Sequence, residues 1–121
     1  MSSSTPKAAT NAVDRRRRRS PRYRGDFRVT VSHLLGIQYQ RLEGHCRDLS
    51  KAGIGILLAA ELNGGDVVNL SFALPGSALP WDVRAVIRYR RGCQYGFEFL
   101  SLTHEQQVSL ESYLEGLEPI D

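Results

Sequence analysis

From Phe27 onward, apolar and polar residues alternate with a period of two. Phe27, Val29 and Val31 interleave with Arg28, Thr30 and Ser32, the pattern of a strand with one buried face. Ordered structure is expected to start at Asp26. After Gly36, Ile37 to Leu42 predicts a second strand. Glu43-Gly44 reads as a turn or bulge, and His45 to Leu49 as the continuation. The run Ala52 to Leu62 has the length of a short buried helix, but Gly53 and Gly55 within it favour a strand at Ile54 to Leu58. Asn63-Gly64-Gly65-Asp66 is a strong turn signal before a strand over Val67 to Leu74. Pro75, Gly76 and Pro80 mark a loop. Trp81, Val83, Ala85, Ile87 and Tyr89 then alternate with Asp82, Arg84, Val86, Arg88 and Arg90, the clearest strand of the chain. Arg91-Gly92 turns, and Tyr95, Phe97 and Phe99 alternate in a last strand.

Beyond that strand the period changes. Thr103-His104-Glu105-Gln106 has the form of a capping box. Leu110, Tyr113, Leu114 and Leu117 follow on one helical face. The fold class is therefore all-β: six short antiparallel strands with glycine-rich turns, closed into a small barrel and followed by one amphipathic helix. The helix stripe packs on the barrel wall or, alternatively, offers a surface to a partner.

Composition agrees with a single globular domain: 121 residues, 41% hydrophobic and 24% charged. No apolar run nears the roughly 20 residues that span a bilayer. Residues 1–14 are small and polar, read as a disordered tail, and contain no apolar stretch of a secretory signal. Cys46 and Cys93, without a CxxC spacing, read as free thiols of a cytoplasmic protein. With His45 they lack a fourth ligand of convincing spacing for zinc, so no metal is expected.

Charge changes the picture more. Seven of the ten residues from Arg15 to Arg24 are arginine. The whole chain carries +3, whereas without those seven it has nine cations against thirteen acids, or −4. A mildly acidic domain thus bears one concentrated guanidinium arm, residues 15–24, ahead of a barrel at 26–100 and a helix at 103–117. Five adjacent like charges repel, so the arm is expected to be flexible without a ligand. Guanidinium forks bind phosphate bidentately, meet the O6 and N7 of guanine and stack on flat rings. The expected partner is an anion with purine character.

Two short motifs sharpen this. Arg18-Arg19-Ser20-Pro21-Arg22 has the spacing RxxxR, and Asp48-Leu49-Ser50-Lys51-Ala52-Gly53 has the form DxSxxG. Their order, their separation of some thirty residues and the all-β setting resemble the PilZ domain, a family of small β-barrels that bind the bacterial second messenger cyclic di-GMP. The resemblance runs from about Arg15 to Leu117 and takes in the Gly96-Phe97-Glu98-Phe99 strand. It implies that Arg18 and Arg22 grip phosphate and guanine, with Arg19 between them in the arm. Asp48 and Ser50 would contact a guanine, and Gly53 would allow the turn and a close backbone approach. In the family an arginine just ahead of RxxxR accompanies a stacked ligand pair. Arg17 holds that position, which implies two cyclic di-GMP molecules per domain. The chemistry is consistent: a carboxylate accepts from guanine N1–H and the exocyclic amine, which no arginine can do.

Alone, an arginine run is a solvated tail or a polyanion binder, and a lone DxSxxG is a serine turn. Together they favour a specific site. Arg84, Arg88 and Arg90 read as the solvated face of their strand, with Arg88 or Arg90 lining the ligand cleft as the sharper option. Trp81 reads as core rather than a stacking platform. Catalysis finds no support: Ser50 lacks a nucleophile elbow, Asp48 lacks a second carboxylate, and no Walker-type loop occurs. The expected protein is a cyclic di-GMP receptor with no cofactor. Ordering of its arm relays the signal to an unidentified effector protein. A nucleic-acid-binding barrel is the rival, disfavoured by the acidic remainder and by Tyr23 being the arm's only aromatic. A ligand-independent PilZ adaptor is the third possibility.

Overall fold

The computed structural model describes residues 20–77 and 80–120. The tail at 1–14 and the arm residues Arg17, Arg18 and Arg19 lie outside them. Seven strands and one helix follow in order: β1 (Tyr23–Arg24), β2 (Arg28–Leu35), β3 (Gln38–Leu49), β4 (Gly53–Leu57), β5 (Val67–Phe72), β6 (Trp81–Arg91), β7 (Gln94–Phe99) and α1 (His104–Glu115). All pairings are antiparallel, in the order β3-β2-β5-β6-β7-β4, and β4 returns to pair with β3. Those six strands close the barrel. Closure removes the sheet edges that would otherwise need cover.

The two-residue β1 is an addition to the six. It pairs with the far end of β3, Tyr23 opposite Leu49 and Arg24 opposite Asp48, in line with β2. Pairing thus begins ahead of Asp26. Between β1 and β2 the contact with β3 persists through Gly25 N–H donating to Arg47 O at 2.9 Å and Cys46 N–H donating to Phe27 O at 2.8 Å. Gly25 is needed there, because a Cβ would lie 2.3 Å from Cys46 Sγ. The second strand is also more continuous than its glycine implies. β3 runs unbroken through Glu43 and Gly44, and its irregularity falls at Arg47.

Alternation decides what enters the barrel. Val29 and Val31 of β2, Leu70 of β5, Ala85 of β6, Ile56 of β4 and Tyr95 of β7 are fully buried. Trp81 joins from the rim, its ring 5.8 Å from Phe72, in keeping with a core role. The glycine-interrupted segment at 53–57 is a strand, as its glycines require; Gly53 lies opposite Glu98, so close that a Cβ would sit 2.2 Å from Phe97 O. The helix begins at the expected capping box: Thr103 Oγ1 accepts from Gln106 N–H, and Gln106 Oε1 accepts from Thr103 N–H, each at 3.0 Å. Its Leu110 and Leu114 enter the core, with Tyr113 and Leu117 packed beside them, so the helical stripe faces the barrel. Past the helix the chain turns back to the start of the fold. Ile120 N–H donates to Arg22 O at 2.8 Å, and Pro119 forms a bridge with Tyr23.

Candidate ligand-binding site

A β-bulge creates the site. Along β3, Gly44 and Cys46 point inward, so an unbroken period of two would carry Asp48 into the core. Instead the register shifts between Cys46 and Asp48: Cys46 lies opposite Ile56, but Asp48 lies opposite Gly55. Arg47 is the extra residue. Leu49 takes the inward position, 1% exposed, and the Asp48 carboxylate emerges on the outer wall. The bulge therefore spares the core an unpaired carboxylate, which costs several kcal/mol.

A second bulge acts in the same way on β6. Ile87 lies opposite Phe97 and Tyr89 opposite Gly96, leaving Arg88 as the extra residue. Simple alternation puts Tyr89 on the buried face with Trp81; the bulge turns it outward, 41% exposed. It also breaks the expected arginine face. Arg84 and Arg90 lie on either side of the irregularity, and Arg90 stacks over the buried Tyr95 ring at 5.4 Å.

The two bulges align one row of residues across the outer wall: Asp48 on β3, Gly55 on β4, Gly96 on β7 and Tyr89 on β6. The middle pair leaves no room for a Cβ while those two side chains keep their places. A Cβ on Gly55 would lie 2.7 Å from Asp48 Oδ1, and one on Gly96 would lie 2.0 Å from the Tyr89 ring. So the carboxylate leans over one glycine and the ring over the other, from opposite sides of a shallow trough. Arg22, just ahead of β1, bridges them. Its Nη2 donates to Asp48 Oδ1 at 3.0 Å and to the Tyr89 hydroxyl at 3.2 Å.

Burial works against the charge on Arg22. The hydrogen bond to Tyr89 and the attraction of Asp48 together outweigh it, and the guanidinium pKa is raised. Nη2 alone is engaged among the described residues. Among the described residues, Nη1 and Nε of Arg22 and Oδ2 of Asp48 have no hydrogen-bond partner. The trough thus holds a guanidinium with donors to spare, a carboxylate with an acceptor to spare, and an aromatic face. That set can take an anion and a planar base with neighbouring N–H donors.

Of the residues singled out from sequence, Arg22 and Asp48 meet directly. Ser50 and Gly53 have another part. The Ser50 hydroxyl oxygen accepts from Ala52 N–H and Gly53 N–H, each at 3.1 Å, and Ser50 N–H donates to Gly53 O at 2.9 Å. They build the tight β3–β4 turn that places Asp48 beside Gly55. Arg88 and Arg90 are occupied elsewhere, by Glu98 at 2.6 Å and by Glu61 at 2.8 Å. Tyr89 is the site residue that the sequence conceals, since its alternation with Trp81 assigns it to the core. The one available signal was the run Arg88-Tyr89-Arg90-Arg91, too polar on both sides for a strand end inside a barrel. No group of three or more His, Cys, Asp and Glu side chains suited to a metal occurs among the described residues.

Comparison with known proteins follows the same lines. The model of the PilZ domain family matches residues 16–116. Three solved structures share the fold at low identity. The PilZ domain of CeSA from a cellulose-synthesizing bacterium is 22% identical, with a TM-score of 0.60, covering 78% of this chain and 95% of that one. The PilZ domain of YcgR from Escherichia coli, solved with c-di-GMP, is 20% identical, with a TM-score of 0.61, covering 84% and 91%. The Bacillus subtilis inhibitor of motility is 18% identical with a TM-score of 0.65; the match covers 80% of this chain but 48% of that one. A search of curated proteins gave no match.

Proposed function

Because the chain belongs to the PilZ domain family, whose members are receptors without catalytic activity, we propose that it binds cyclic di-GMP across the glycine trough. Arg22, with Arg18 from the same arm, grips phosphate and a guanine Hoogsteen edge; Arg19 adds charge between them. Asp48 accepts from the Watson–Crick edge of a guanine through its free oxygen. Tyr89 supplies a flat face for stacking. Ser50 and Gly53 act through the turn that fixes Asp48. Arg17 recruits a second ligand molecule, stacked on the first. The observation that carries this reading is the convergence of Arg22, Asp48 and Tyr89 over Gly55 and Gly96, with donors and an acceptor that have no partner among the described residues. The E. coli YcgR domain of the same fold was solved with c-di-GMP, which adds weight.

The relay runs through the arm. Ordering it over the ligand costs chain entropy, which charge-assisted contacts offset. The covered trough and the arm then form a new surface for an effector protein. Two free thiols, Cys46 and Cys93, suit the reducing cytoplasm, where we place the protein.

Calorimetric titration with cyclic di-GMP tests the reading. Two molecules should bind per chain. Arg18→Ala, Arg22→Ala and Asp48→Ala should each weaken binding at least about tenfold, on the order of 1–3 kcal/mol per lost contact. Tyr89→Ala should weaken it while Tyr89→Phe, which keeps the ring, stays close to the parent. Parent-like binding by both Arg22→Ala and Asp48→Ala would overturn the site. Heat with a random-sequence oligonucleotide and none with cyclic di-GMP would overturn the ligand.

A further inference from the structure

We propose that the outer wall beside the trough carries a second row of side chains, in which Arg91 and Gln94 recognise the other guanine of cyclic di-GMP and Arg91 sets the base specificity. The row completes the cyclic di-GMP site proposed above, on which it depends, by reading the guanine that Asp48 leaves free. It follows from the same strand register as the first row. His45 on β3 lies opposite Leu57 on β4, Leu57 opposite Gln94 on β7, and Gln94 opposite Arg91 on β6. Three of these stand two residues from their counterparts in the trough: Leu57 from Gly55, Gln94 from Gly96 and Arg91 from Tyr89. Residues two apart on a strand face the same way, so both rows share the outer wall.

The spacing suits stacked bases. Two residues of antiparallel strand span roughly 6.8 Å. Neighbouring bases in a stack lie about 3.4 Å apart, so the rows are two stacking steps apart. Two guanines with a third ring between them keep that interval, as a dinucleotide stacked with a second molecule requires. Leu57, 36% exposed, continues the glycine floor with an apolar step that a flat base can cover.

Charge separates the two sides of the trough. On one side Gly53 lies opposite Glu98, whose carboxylate repels phosphate and is already bound to Arg88 at 2.6 Å. On the Arg91 side the carboxylates are taken up: Asp26 lies 2.6 Å from the His45 ring, and Glu61 lies 2.8 Å from Arg90. The Arg91 guanidinium and the Gln94 amide have no hydrogen-bond partner among the described residues. Several arginines of the wall share that freedom; a place beside Tyr89 is what distinguishes Arg91. A guanidinium donates bidentately to guanine O6 and N7, and adenine, with an amine in place of O6, cannot accept both bonds. An amide carries donors and an acceptor and can pair with either purine, so Gln94 adds affinity while Arg91 discriminates.

Calorimetric titration of the full chain should compare cyclic di-GMP with cyclic GMP–AMP, which keeps one guanine for Asp48 and offers adenine to the second row. The parent should bind the mixed dinucleotide at least about tenfold more weakly. In Arg91→Ala, checked for an unchanged melt by circular dichroism, that preference should shrink to about twofold, the loss of one of two equivalent orientations. Gln94→Ala should weaken both ligands alike and keep the ratio near that of the parent. The Gln94 side-chain amide resonances should move on saturation with cyclic di-GMP. The second row is overturned if Arg91→Ala keeps the parent's preference, if the parent binds both dinucleotides equally, or if Arg91→Ala folds but loses all binding, since the first row alone should still hold the ligand. A parent that binds no cyclic di-GMP would instead strike down the trough as the site, and the second row with it.

Discussion

Single atoms decide what each glycine and cysteine contributes. Gly53, Gly55 and Gly96 are all crowded, but by different neighbours. A Cβ on Gly53 meets the backbone carbonyl of Phe97, which cannot yield without parting β4 from β7. One on Gly55 meets the end of the Asp48 side chain, which can swing away. Gly53→Ala should therefore destabilise the fold, by about 1–3 kcal/mol in a denaturant titration. Gly55→Ala should leave the midpoint nearly unchanged but lower affinity for cyclic di-GMP about tenfold by displacing Asp48. Loss of stability without loss of binding in Gly55→Ala would contradict this division. Cys46 is governed by burial, with the charges of Asp48 and Asp26 adding to it, and its pKa is pushed up to about 12. In the native protein a thiol reagent at neutral pH should modify Cys93 alone, and both cysteines only after unfolding. The raised value also sets a sign. An unfolded chain releases this proton near 9.0 and the folded one only near 12, so the contribution is intact below 9 and is lost as pH rises towards 12. The parent should lose more stability across that window than Cys46→Ala.

At the scale of elements, two bulges convert a structural barrel into one with a decorated wall. Deleting Arg47 removes the irregularity in β3 yet keeps Cys46 and Leu49 inside and Asp48 outside, because Arg47 is the residue in excess. That deletion should therefore leave cooperative thermal unfolding intact, measured by circular dichroism, as should Arg47→Ala, which keeps the residue count. The same bulges mark the boundary of what sequence pattern reveals. The six strands, the Asn63–Asp66 turn and the capped helix follow from periodicities of two and 3.6 and from turn chemistry, and these are local. Asp48 was legible through its motif, not through its environment. Tyr89 was legible only through its charged neighbours, because an extra residue inside a strand changes the facing of everything after it while leaving composition untouched. Likewise, the pairing of Arg22 with Asp48 joins residues 26 apart through the short β1, too brief to show in any alternation.

Across the whole molecule, the beginning and end of the described chain converge. Arg22 contributes its side chain to the trough and its carbonyl to Ile120, so two distant segments meet on one residue. A chain shortened to end at Leu117 keeps the barrel and both core leucines of the helix, and should melt within a few degrees of the parent. It releases the Arg22 carbonyl, however, and the arm should become more mobile, seen as faster amide exchange at Tyr23 and Arg24. Unchanged exchange there would show that β3 alone holds the arm.

This meeting point makes the tail a natural sensor of events in the trough. A spin label or fluorophore carried by Ile120→Cys, in a Cys93→Ser background with Cys46 sheltered, would sit one hydrogen bond from the arginine proposed to grip the ligand. Its signal would report occupancy in real time, with no modification of the ligand and none of the side chains that touch it.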